Sequence, residues 1–510
     1  MKLLLKSQKF ALGFLGMLFL TPALGQEKLK IEQTMLDEPG SFYFINFKKY
    51  PQKLSSLPIG VFDSGTGGLT VLDALVNFDG FENATLVSKK DGKLDFQKEN
   101  FIYLADQANM PYGNYHSVQK DDLLQEHILK DFQFLLGNKY YSDKNSERFN
   151  QNKQQVKAIV IACNTATAYG YKEALQFLKE TKLTIPVIGV INAASKGTLS
   201  YFEDGKSGTI AVFATAGTIA SSGYENTLRE QIQSLGLKGK IDIVNQGGFG
   251  LAEAVDEEPD FIQHAALAPR AAYRGPSLNP SDYKIDLALL DIYNFNVKEN
   301  QMLCDAKELD DCSVLQINSA ENYVRYHLVS MLEKMRKTKD IQPLKALILG
   351  CTHYPYLIKE INQVLEEIKT YRNKDGQEVY RHLISDEVQI IDPSIYVAQE
   401  LYEALYQQQL FNANGDMLHQ SEFYISVPNI HNKQTIMDEQ GRFTYDYKYG
   451  RMANEIQEYV KVVPFDNSNV SKETLLRFKN MIPNTYQLIR NFHLQNAKLL
   501  NMDQKLKILH

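Results

Sequence analysis

The chain has 510 residues, enough for several domains at about 150 residues each. With 44% hydrophobic and 23% charged residues, 30 Gly and 16 Pro, the composition is that of an ordinary folded protein and excludes collagen-like, coiled-coil and wholly disordered classes. The 61 acidic against 55 basic residues give no support for nucleic acid as a partner, and four Cys are too few for a disulfide scaffold.

The first 25 residues differ from the rest of the chain. Three lysines precede an apolar run at residues 10–20, and the small residues at 23–25 follow it. This order is typical of a secretory signal peptide cleaved after residue 25. A membrane anchor is the less favoured alternative, because the run is shorter than the ~20 residues that span a bilayer and Pro22 ends it. We therefore expect export to the periplasm or beyond, with no stable membrane insertion after cleavage.

Residues 26–56 are mixed polar and aromatic, which predicts a leader arm outside the core. From residue 57, short apolar runs alternate with helix-length segments, a pattern typical of parallel strands buried on both faces and hence of an α/β fold. The apolar runs cover residues 59–62, 101–104, 158–162, 187–191, 209–214, 241–244, 346–349 and 388–391. Polar surface insertions are predicted at 82–100, 139–153, 256–311 and 370–386, a further strand at 423–427, and amphipathic helix over the last 40 residues.

Two segments of the chain follow one template. In each, a Lys opens an apolar strand that ends at a Cys followed by hydrogen-bonding side chains: residues 157–165 with Cys163, and residues 345–353 with Cys351. An Ile-Gly-Val strand also occurs twice, at 59–61 and 188–190. The pattern predicts two similar doubly wound parallel-sheet domains related by a pseudo-twofold axis. Ligand groups gather at the carboxyl ends of parallel strands, so both Cys are expected at one cleft between the domains.

Two opposed thiols suit the inversion of a carbon centre. One thiolate removes a proton, and the other group, as a thiol, delivers one to the opposite face. Asn164, Thr165, Thr352 and His353 are placed to act as donors or proton partners of the two Cys. Either Cys alone is better explained as a buried apolar residue at a strand end, but the matching polar contexts favour a functional pair.

The segment Asp63-Ser64-Gly-Thr-Gly-Gly follows the first strand and precedes a helix. Such a turn presents backbone N–H groups to an anion such as a carboxylate. A nucleotide site is disfavoured, because the turn lacks the Lys of a P-loop and the spacing G-x-G-x-x-G. Pro111-Tyr112-Gly113 predicts a rigid turn, with a plain loop as the alternative.

Together these motifs resemble the cofactor-independent glutamate racemases of the aspartate/glutamate racemase superfamily. The resemblance spans roughly residues 57–427 and rests on residues 59–70, Asp106 with 111–113, 162–166, 187–191, 214–219 and 350–355. It implies that Cys163 and Cys351 are the acid/base residues, that Asp63 assists the first, and that His353 with Glu253 assists the second. The residues it implies around the amino acid are Ser64, Pro111, Tyr112, Gly113, Asn164, Thr165, Thr218 and Thr352.

The resemblance also implies that no metal or organic cofactor is used, that glutamate is the small-molecule substrate, and that the product is D-glutamate for the cell wall. The expected domains are residues 57–186 with 356–430, and residues 187–355 carrying the 256–311 insertion. Residues 431–510 form an extension of unassigned role, and a homodimer is compatible with the sequence.

Three alternatives stay open at the level of sequence. They are an aspartate racemase, a broad-specificity amino-acid racemase, and an inactive exported amino-acid-binding relative, each as an alternative to a glutamate racemase. In addition, Cys304 and Cys312 lie eight positions apart in an insertion, and in an oxidising compartment they either pair or stay free.

Overall fold

The computed structural model describes residues 28–279 and 283–509, so the predicted signal peptide at residues 1–25 lies outside the described residues. Parallel strands with covering helices dominate this part of the chain, which confirms the α/β class. No helix within the described ranges is long and apolar enough to cross a membrane.

The strands include those at every apolar run predicted from the sequence. In chain order they are β1 (Ile59–Asp63), β2 (Phe101–Ala105), β3 (Tyr140–Tyr141), β4 (Phe149–Asn150), β5 (Ala158–Ile161), β6 (Val187–Gly189), β7 (Gly208–Ala214), β8 (Ile241–Gly247), β9 (Met302–Cys304), β10 (Leu315–Ile317), β11 (Leu344–Gly350), β12 (Ile384–Ile391), β13 (Glu422–Pro428) and β14 (Val460–Pro464).

The α-helices connect these strands and cover the sheets. They are α1 (Lys30–Asp37), α2 (Leu69–Val76), α3 (Gly113–Ser117), α4 (Asp121–Leu136), α5 (Asn164–Thr181), α6 (Val190–Leu199), α7 (Ala216–Ala220), α8 (Gly223–Leu235), α9 (Leu251–Val255), α10 (Leu290–Tyr293), α11 (Ala320–Lys337), α12 (Ile358–Thr370), α13 (Pro393–Gln407), α14 (Tyr445–Gly450), α15 (Lys472–Met481) and α16 (Pro483–Gln495).

Two large sheets organise the described residues. The first has the order β14-β13-β2-β1-β5-β6 and is parallel except for β14, which pairs antiparallel with β13. The second has the order β12-β11-β7-β8 and is parallel throughout. The central strands β1 and β7 are buried along their whole length. Helices on both faces explain why these strands are continuously apolar instead of alternating.

The sheets divide the chain differently from the expected boundaries at residues 187 and 356. Strand β6 pairs parallel with β5 in the first sheet and leads directly into α6. Strand β12 pairs with β11 in the second sheet, since α12 returns the chain to run parallel beside β11. The repeated Ile-Gly-Val segments therefore lie in one sheet, not one in each half.

The N-terminal segment is part of the core, contrary to the prediction of a leader arm. Ile31 and Met35 of α1 are fully buried. The hydroxyl of Tyr50 donates to the carbonyl of Val156 at 2.6 Å, just before β5. Helix α1 has only eight residues, too few for a helical apolar pattern to be recognised in the sequence. For this reason the segment was predicted to lie outside the core.

The C-terminal extension completes the same domain. Strand β14 adds to the edge of the first sheet, and the predicted strand at 423–427 and the terminal helices are confirmed as β13, α15 and α16. The extension also contacts the N-terminal segment: the Asn454 side chain accepts from the Lys30 N–H at 2.7 Å, and the Gln457 carbonyl accepts from the Tyr43 hydroxyl at 2.8 Å. The two ends of the described chain are interlocked.

The insertion at 256–311 packs on the second sheet. Its strand β9 pairs antiparallel with β10, and Cys304 at the end of β9 forms a disulfide with Cys312. The Cα atoms of the two cysteines are 5.7 Å apart. The pairing that the sequence left open is thus present in the structure.

The two lysines that open the repeated segments, Lys157 and Lys345, have different environments. Lys157 is fully buried, with Nζ 2.5 Å from Glu99 Oε2, and it donates to the carbonyls of Ser55 (2.9 Å) and Leu410 (2.8 Å). Lys345 is half-buried, with Nζ 5.1 Å from the Phe202 ring centre. The first lysine therefore ties three distant segments together, and the second does not.

We predict that Lys157→Met lowers the free energy of unfolding by ~3–5 kcal/mol, because Glu99 is left as an uncompensated buried charge. The matched variant Lys345→Met should cost less than about 1 kcal/mol, since it removes only a partly exposed cation–π contact. Urea unfolding of both variants measures the difference. Equal losses of unfolding free energy in the two variants would show that the buried Lys157–Glu99 ion pair contributes no more than the Lys345 contact.

Candidate active site

The first site loop begins where β1 ends. The Asp63 carboxylate accepts from the Gly68 N–H at 2.8 Å, which closes the glycine-rich turn at the start of α2. A Cβ added at Gly68 would lie 2.5 Å from the Asp63 Cβ, so the turn requires glycine here. Burial raises the pKa of Asp63 in spite of its hydrogen bonds from Gly68 and Cys163. Asp63 is therefore a proton acceptor held beside a thiol.

Cys163 follows β5 and caps the N-terminus of α5. Its Sγ accepts from the Ala166 N–H at 3.4 Å and lies 3.6 Å from Ser64 Oγ. Burial, and next the charge of Asp63, raise the pKa of Cys163 to about 12. At neutral pH this group is therefore a thiol. Thr165, in the first turn of α5, is also buried.

Cys351 follows β11 in the second sheet. Its Sγ lies 3.6 Å from His353 Nδ1, and His353 Nε2 lies 3.2 Å from Asp256 Oδ1. Burial lowers the pKa of His353, but the hydrogen bonds to Asp256 and Cys351 outweigh it and raise the pKa to about 10. A protonated imidazole thus stands next to the second thiol at neutral pH.

The carboxylate that contacts His353 belongs to Asp256, whereas the resemblance implied Glu253. Asp256 is the residue directly after α9, and Glu253 lies one turn earlier on that short helix. The Glu253 charge acts on Tyr323 and Tyr354. Because Asp256 opens a predicted polar insertion, it carries no separate signal in the sequence. Three residues of spacing put both carboxylates on one helix face, so sequence alone could not choose between them.

Arg477 is a site residue that the sequence did not indicate. It lies on α15 of the C-terminal extension, and its Nη1 is 2.8 Å from Asp256 Oδ1. Burial raises the pKa of Asp256, but His353 and Arg477 together hold it below the ordinary value. Asp256 is a carboxylate shared between two cationic groups.

The two site loops meet across the boundary between the sheets. A Cβ added at Gly67 would lie 3.1 Å from Thr352 Oγ1 and 3.5 Å from Asp63 Oδ2. Gly67 therefore lies in close contact with both side chains. The Tyr224 hydroxyl donates to Asn164 Oδ1 at 2.9 Å. The ring of Tyr224 also packs on Gly350, where an added Cβ would lie 2.9 Å from Cε2. The residues beside Cys163 and Cys351 therefore share one cleft.

A cavity of about 200 Å³ adjoins this cleft. Asn164, Cys351 and Thr352 line it on one side, and Met481 and Ile482 of the extension line it on another. Residues of α2 and the segment Asp392–Ser394 also line it, whereas Cys163 is not among its lining residues.

The Pro111-Tyr112-Gly113 turn supports the cleft from the interior. Its Met110–Pro111 peptide bond is cis. The Tyr112 hydroxyl lies 2.6 Å from Asp106 Oδ2 and 2.7 Å from Asp131 Oδ2. One hydroxyl hydrogen serves only one carboxylate, and burial with the Asp106 charge raises the pKa of Asp131, so Asp131 carries the second proton. The Tyr112 side chain is thus buried in a carboxyl network, not exposed in the cleft.

The extension also holds this turn. Lys448 Nζ donates to the carbonyl of Met110 at 2.5 Å, and the Tyr449 hydroxyl donates to the carbonyl of Pro111 at 3.2 Å. Arg451 Nη2 donates to Asn109 Oδ1 at 2.8 Å. Side chains of one C-terminal segment therefore fix the backbone of a predicted substrate loop.

Thr218 lies on the opposite rim, in α7. Its Oγ1 accepts from Thr215 Oγ1 at 3.0 Å. Gly217 of this helix faces the predicted loop residue Gly113, since a Cβ added at Gly113 would lie 3.7 Å from the Gly217 Cα. The predicted loop and α7 thus close against each other at one end of the cleft.

Within the described residues, one group has metal-ligand spacing: Cys304, Asp305 and Cys312. Its two thiols are joined in the disulfide and are not available as thiolate ligands.

Comparison with known proteins places the chain near one class of enzymes. No protein-family model matches it. The glutamate racemase of Ralstonia pickettii (strain 12J) is 26% identical over 326 residues, covering 64% of this chain and 74% of that protein. The glutamate racemase of Chlorobaculum tepidum is 33% identical over 181 residues, covering 36% and 50%.

A solved structure, glutamate racemase isoform RacE1 from Bacillus anthracis, aligns with 72% of this chain and 87% of its own, at 22% identity and a TM-score of 0.40. The sequence comparisons confirm the resemblance to glutamate racemases that the motifs indicated.

The protonated state of His353 gives a testable pH dependence. Its pKa is about 10 in the folded protein against an ordinary 6.5, so it stabilises the fold fully below pH 6.5, and this contribution is lost as the pH rises toward 10. We predict that His353→Gln flattens the decline of the unfolding free energy between pH 6.5 and 10, measured by urea unfolding. The exposed His382→Gln variant should keep the wild-type decline. Parallel profiles for wild type and His353→Gln would contradict the charge assignment.

Proposed function

We propose that the protein is an amino-acid racemase that interconverts L- and D-glutamate by proton transfer between Cys163 and Cys351. The observation that carries this proposal is the pair of free, buried thiols, each backed by a proton-handling group, on loops that share one cleft. A site that only binds an amino acid has no need of two such pairs. The glutamate racemases among the relatives support the same class of reaction.

In the proposed reaction, one sulfur as thiolate removes the α-proton, and the other, as thiol, delivers a proton to the opposite face. Asp63 accepts the thiol proton of Cys163 to generate the first thiolate. His353 exchanges a proton with Cys351 and, while protonated, stabilises its thiolate. Each turnover leaves the proton count of the thiol pair unchanged and reverses which sulfur holds the proton.

The groups proposed to bind the amino acid are fixed before it arrives. Backbone N–H groups of the turn after Asp63 and of the first turn of α5 lie at the carboxyl end of the first sheet. Apart from those of Gly68 and Ala166, which donate to Asp63 and Cys163, they are the groups proposed to bind a carboxylate. The hydroxyls of Thr352 and Thr218 stand on the second-sheet side. Donors aimed in advance at developing negative charge in a cleft with little water favour a carbanion-like transition state without a cofactor.

We predict that wild type incorporates α-deuterium into glutamate in deuterated water, and that Cys163→Ser and Cys351→Ser each lower kcat at least about 100-fold, the usual effect of losing an acid/base group. Chiral chromatography of an amino-acid panel, under reducing conditions, measures rate and substrate choice together. The double variant Cys304→Ser/Cys312→Ser is the matched control and should retain racemisation.

Preferred exchange of aspartate or of many amino acids would overturn the choice of glutamate. Tight glutamate binding without α-proton exchange would instead identify a binding protein. Near-normal turnover by either single Ser variant would refute the two-thiol mechanism.

We also propose that residues 1–25 direct export of this activity. The apolar run behind three lysines supports it, and so does the disulfide between Cys304 and Cys312, which is typical of an oxidising compartment.

For this proposal we predict that the full chain, expressed in a bacterium, is recovered outside the cytoplasm with Gln26 as its first residue, as determined by fractionation and intact mass. A variant with Leu15→Arg in the apolar run should stay uncut inside the cell. An unprocessed wild-type chain in the cytoplasm would contradict export.

A further inference from the structure

We propose that Arg477, on the C-terminal extension, is a positioning residue for the proton transfer at Cys351 and acts through Asp256 and His353. The proposal deepens the proposed function and rests on it. It assigns a role to a segment that lies beyond the part of the chain resembling the racemases.

A continuous line of contacts joins Arg477 to the thiol. Arg477 Nη1 is 2.8 Å from Asp256 Oδ1, and the same oxygen is 3.2 Å from His353 Nε2. The other ring nitrogen of His353 is 3.6 Å from Cys351 Sγ. The side chains of Asp256 and His353 are 19% and 24% exposed, so solvent screens these interactions only in part.

The line crosses from one domain to the other. Helix α15 is anchored to the first-sheet domain: its Leu475 and Phe478 are buried, and Thr485 of the next helix donates to Asp73 of α2 at 2.8 Å. Asp256, in contrast, follows β8 of the second sheet and α9. The Arg477–Asp256 ion pair therefore links the two walls of the cleft.

Asp256 needs such an anchor because of its place in the chain. It directly follows the five-residue helix α9 and opens the long 256–311 insertion, so the neighbouring backbone does little to fix its carboxylate. With Arg477 bound, the carboxylate has partners on two sides, and the His353 ring is held with Nδ1 toward Cys351. Without Arg477, the carboxylate and the ring gain rotational freedom, and the ring spends less time beside the sulfur.

The extension contributes to the same cleft at a second point. Met481 and Ile482, at the end of α15, line the cavity together with Cys351 and Thr352. Arg477 lies one helical turn before Met481, so the wall and the positioning contact belong to one rigid element.

The test compares Arg477→Gln with Lys479→Gln, an exposed cation on the same helix, and with Arg477→Lys. The readouts are kcat and KM for glutamate, and the rate of iodoacetamide alkylation at Cys351 relative to Cys163 in the same molecule, measured by peptide mass spectrometry. Thermal unfolding reports whether each variant is folded.

We expect Arg477→Gln to lower kcat about tenfold with little change in KM, because the Asp256 carboxylate loses one of its two cationic partners. The Cys351-to-Cys163 alkylation ratio should fall with it. Arg477→Lys should restore most of both, because lysine keeps a positive charge beside Asp256. Lys479→Gln should match wild type.

An unchanged kcat and alkylation ratio in Arg477→Gln would overturn the proposal. So would an equal change at both cysteines, since that is the mark of a general loss of structure. If Arg477→Gln does not fold, an unchanged alkylation ratio in the folded Asp256→Asn variant would overturn the proposal. If wild type racemises no glutamate, the proposed function fails, whereas the alkylation ratio still decides the role of Arg477.

Discussion

The close approach of the Asp63 loop to the Thr352 loop is the constraint on which the site depends. Each thiol sits at the carboxyl end of a strand in its own sheet, and neither sheet alone assembles a two-sided cleft. Gly67 permits the contact because a side chain there would press on Thr352. The hydrogen bond from Tyr224 of α8 to Asn164 of α5 is a further contact between elements beside the cleft. The chemistry proposed for the cleft therefore requires both sheets to keep their relative position.

The two thiols have different electrostatic surroundings. Cys163 is paired with a buried carboxyl group and an N-terminal helix turn, and burial keeps it protonated. Cys351 is paired with a cationic imidazole that a carboxylate supports. Cys163 therefore starts in its protonated form, whereas Cys351 lies beside a cation that stabilises a thiolate. Such asymmetry suits a reaction in which the roles of the groups alternate with the direction of turnover.

Sequence patterns predicted the local features of this protein well. The buried runs became β1, β2, β5, β7, β8 and β11, because continuous apolar segments between helices have few other uses. The motif residues Asp63, Cys163, Cys351 and His353 also fall at the cleft, since each directly follows or caps an element whose end was visible in sequence. The roles assigned to them remain predictions.

What the sequence did not reveal depends on contacts between distant segments. Asp256 replaces Glu253 beside His353 through a shift of one helical turn, and Arg477 reaches it from a distant part of the chain. The exchange of β6 and β12 between the expected domains follows from strand pairing, which periodicity does not encode. The burial of α1 likewise arises from packing against later parts of the chain.

The interlocked ends have a consequence for synthesis. The first-sheet domain needs α1 from the beginning of the described chain and β13, β14 and α16 from its end. While the ribosome is still translating, that domain lacks its outer strands and cannot reach its final state. In a nascent chain of this design, the first-sheet domain therefore cannot be completed cotranslationally from its N-terminal residues alone and has to wait until β13, β14 and α16 have emerged.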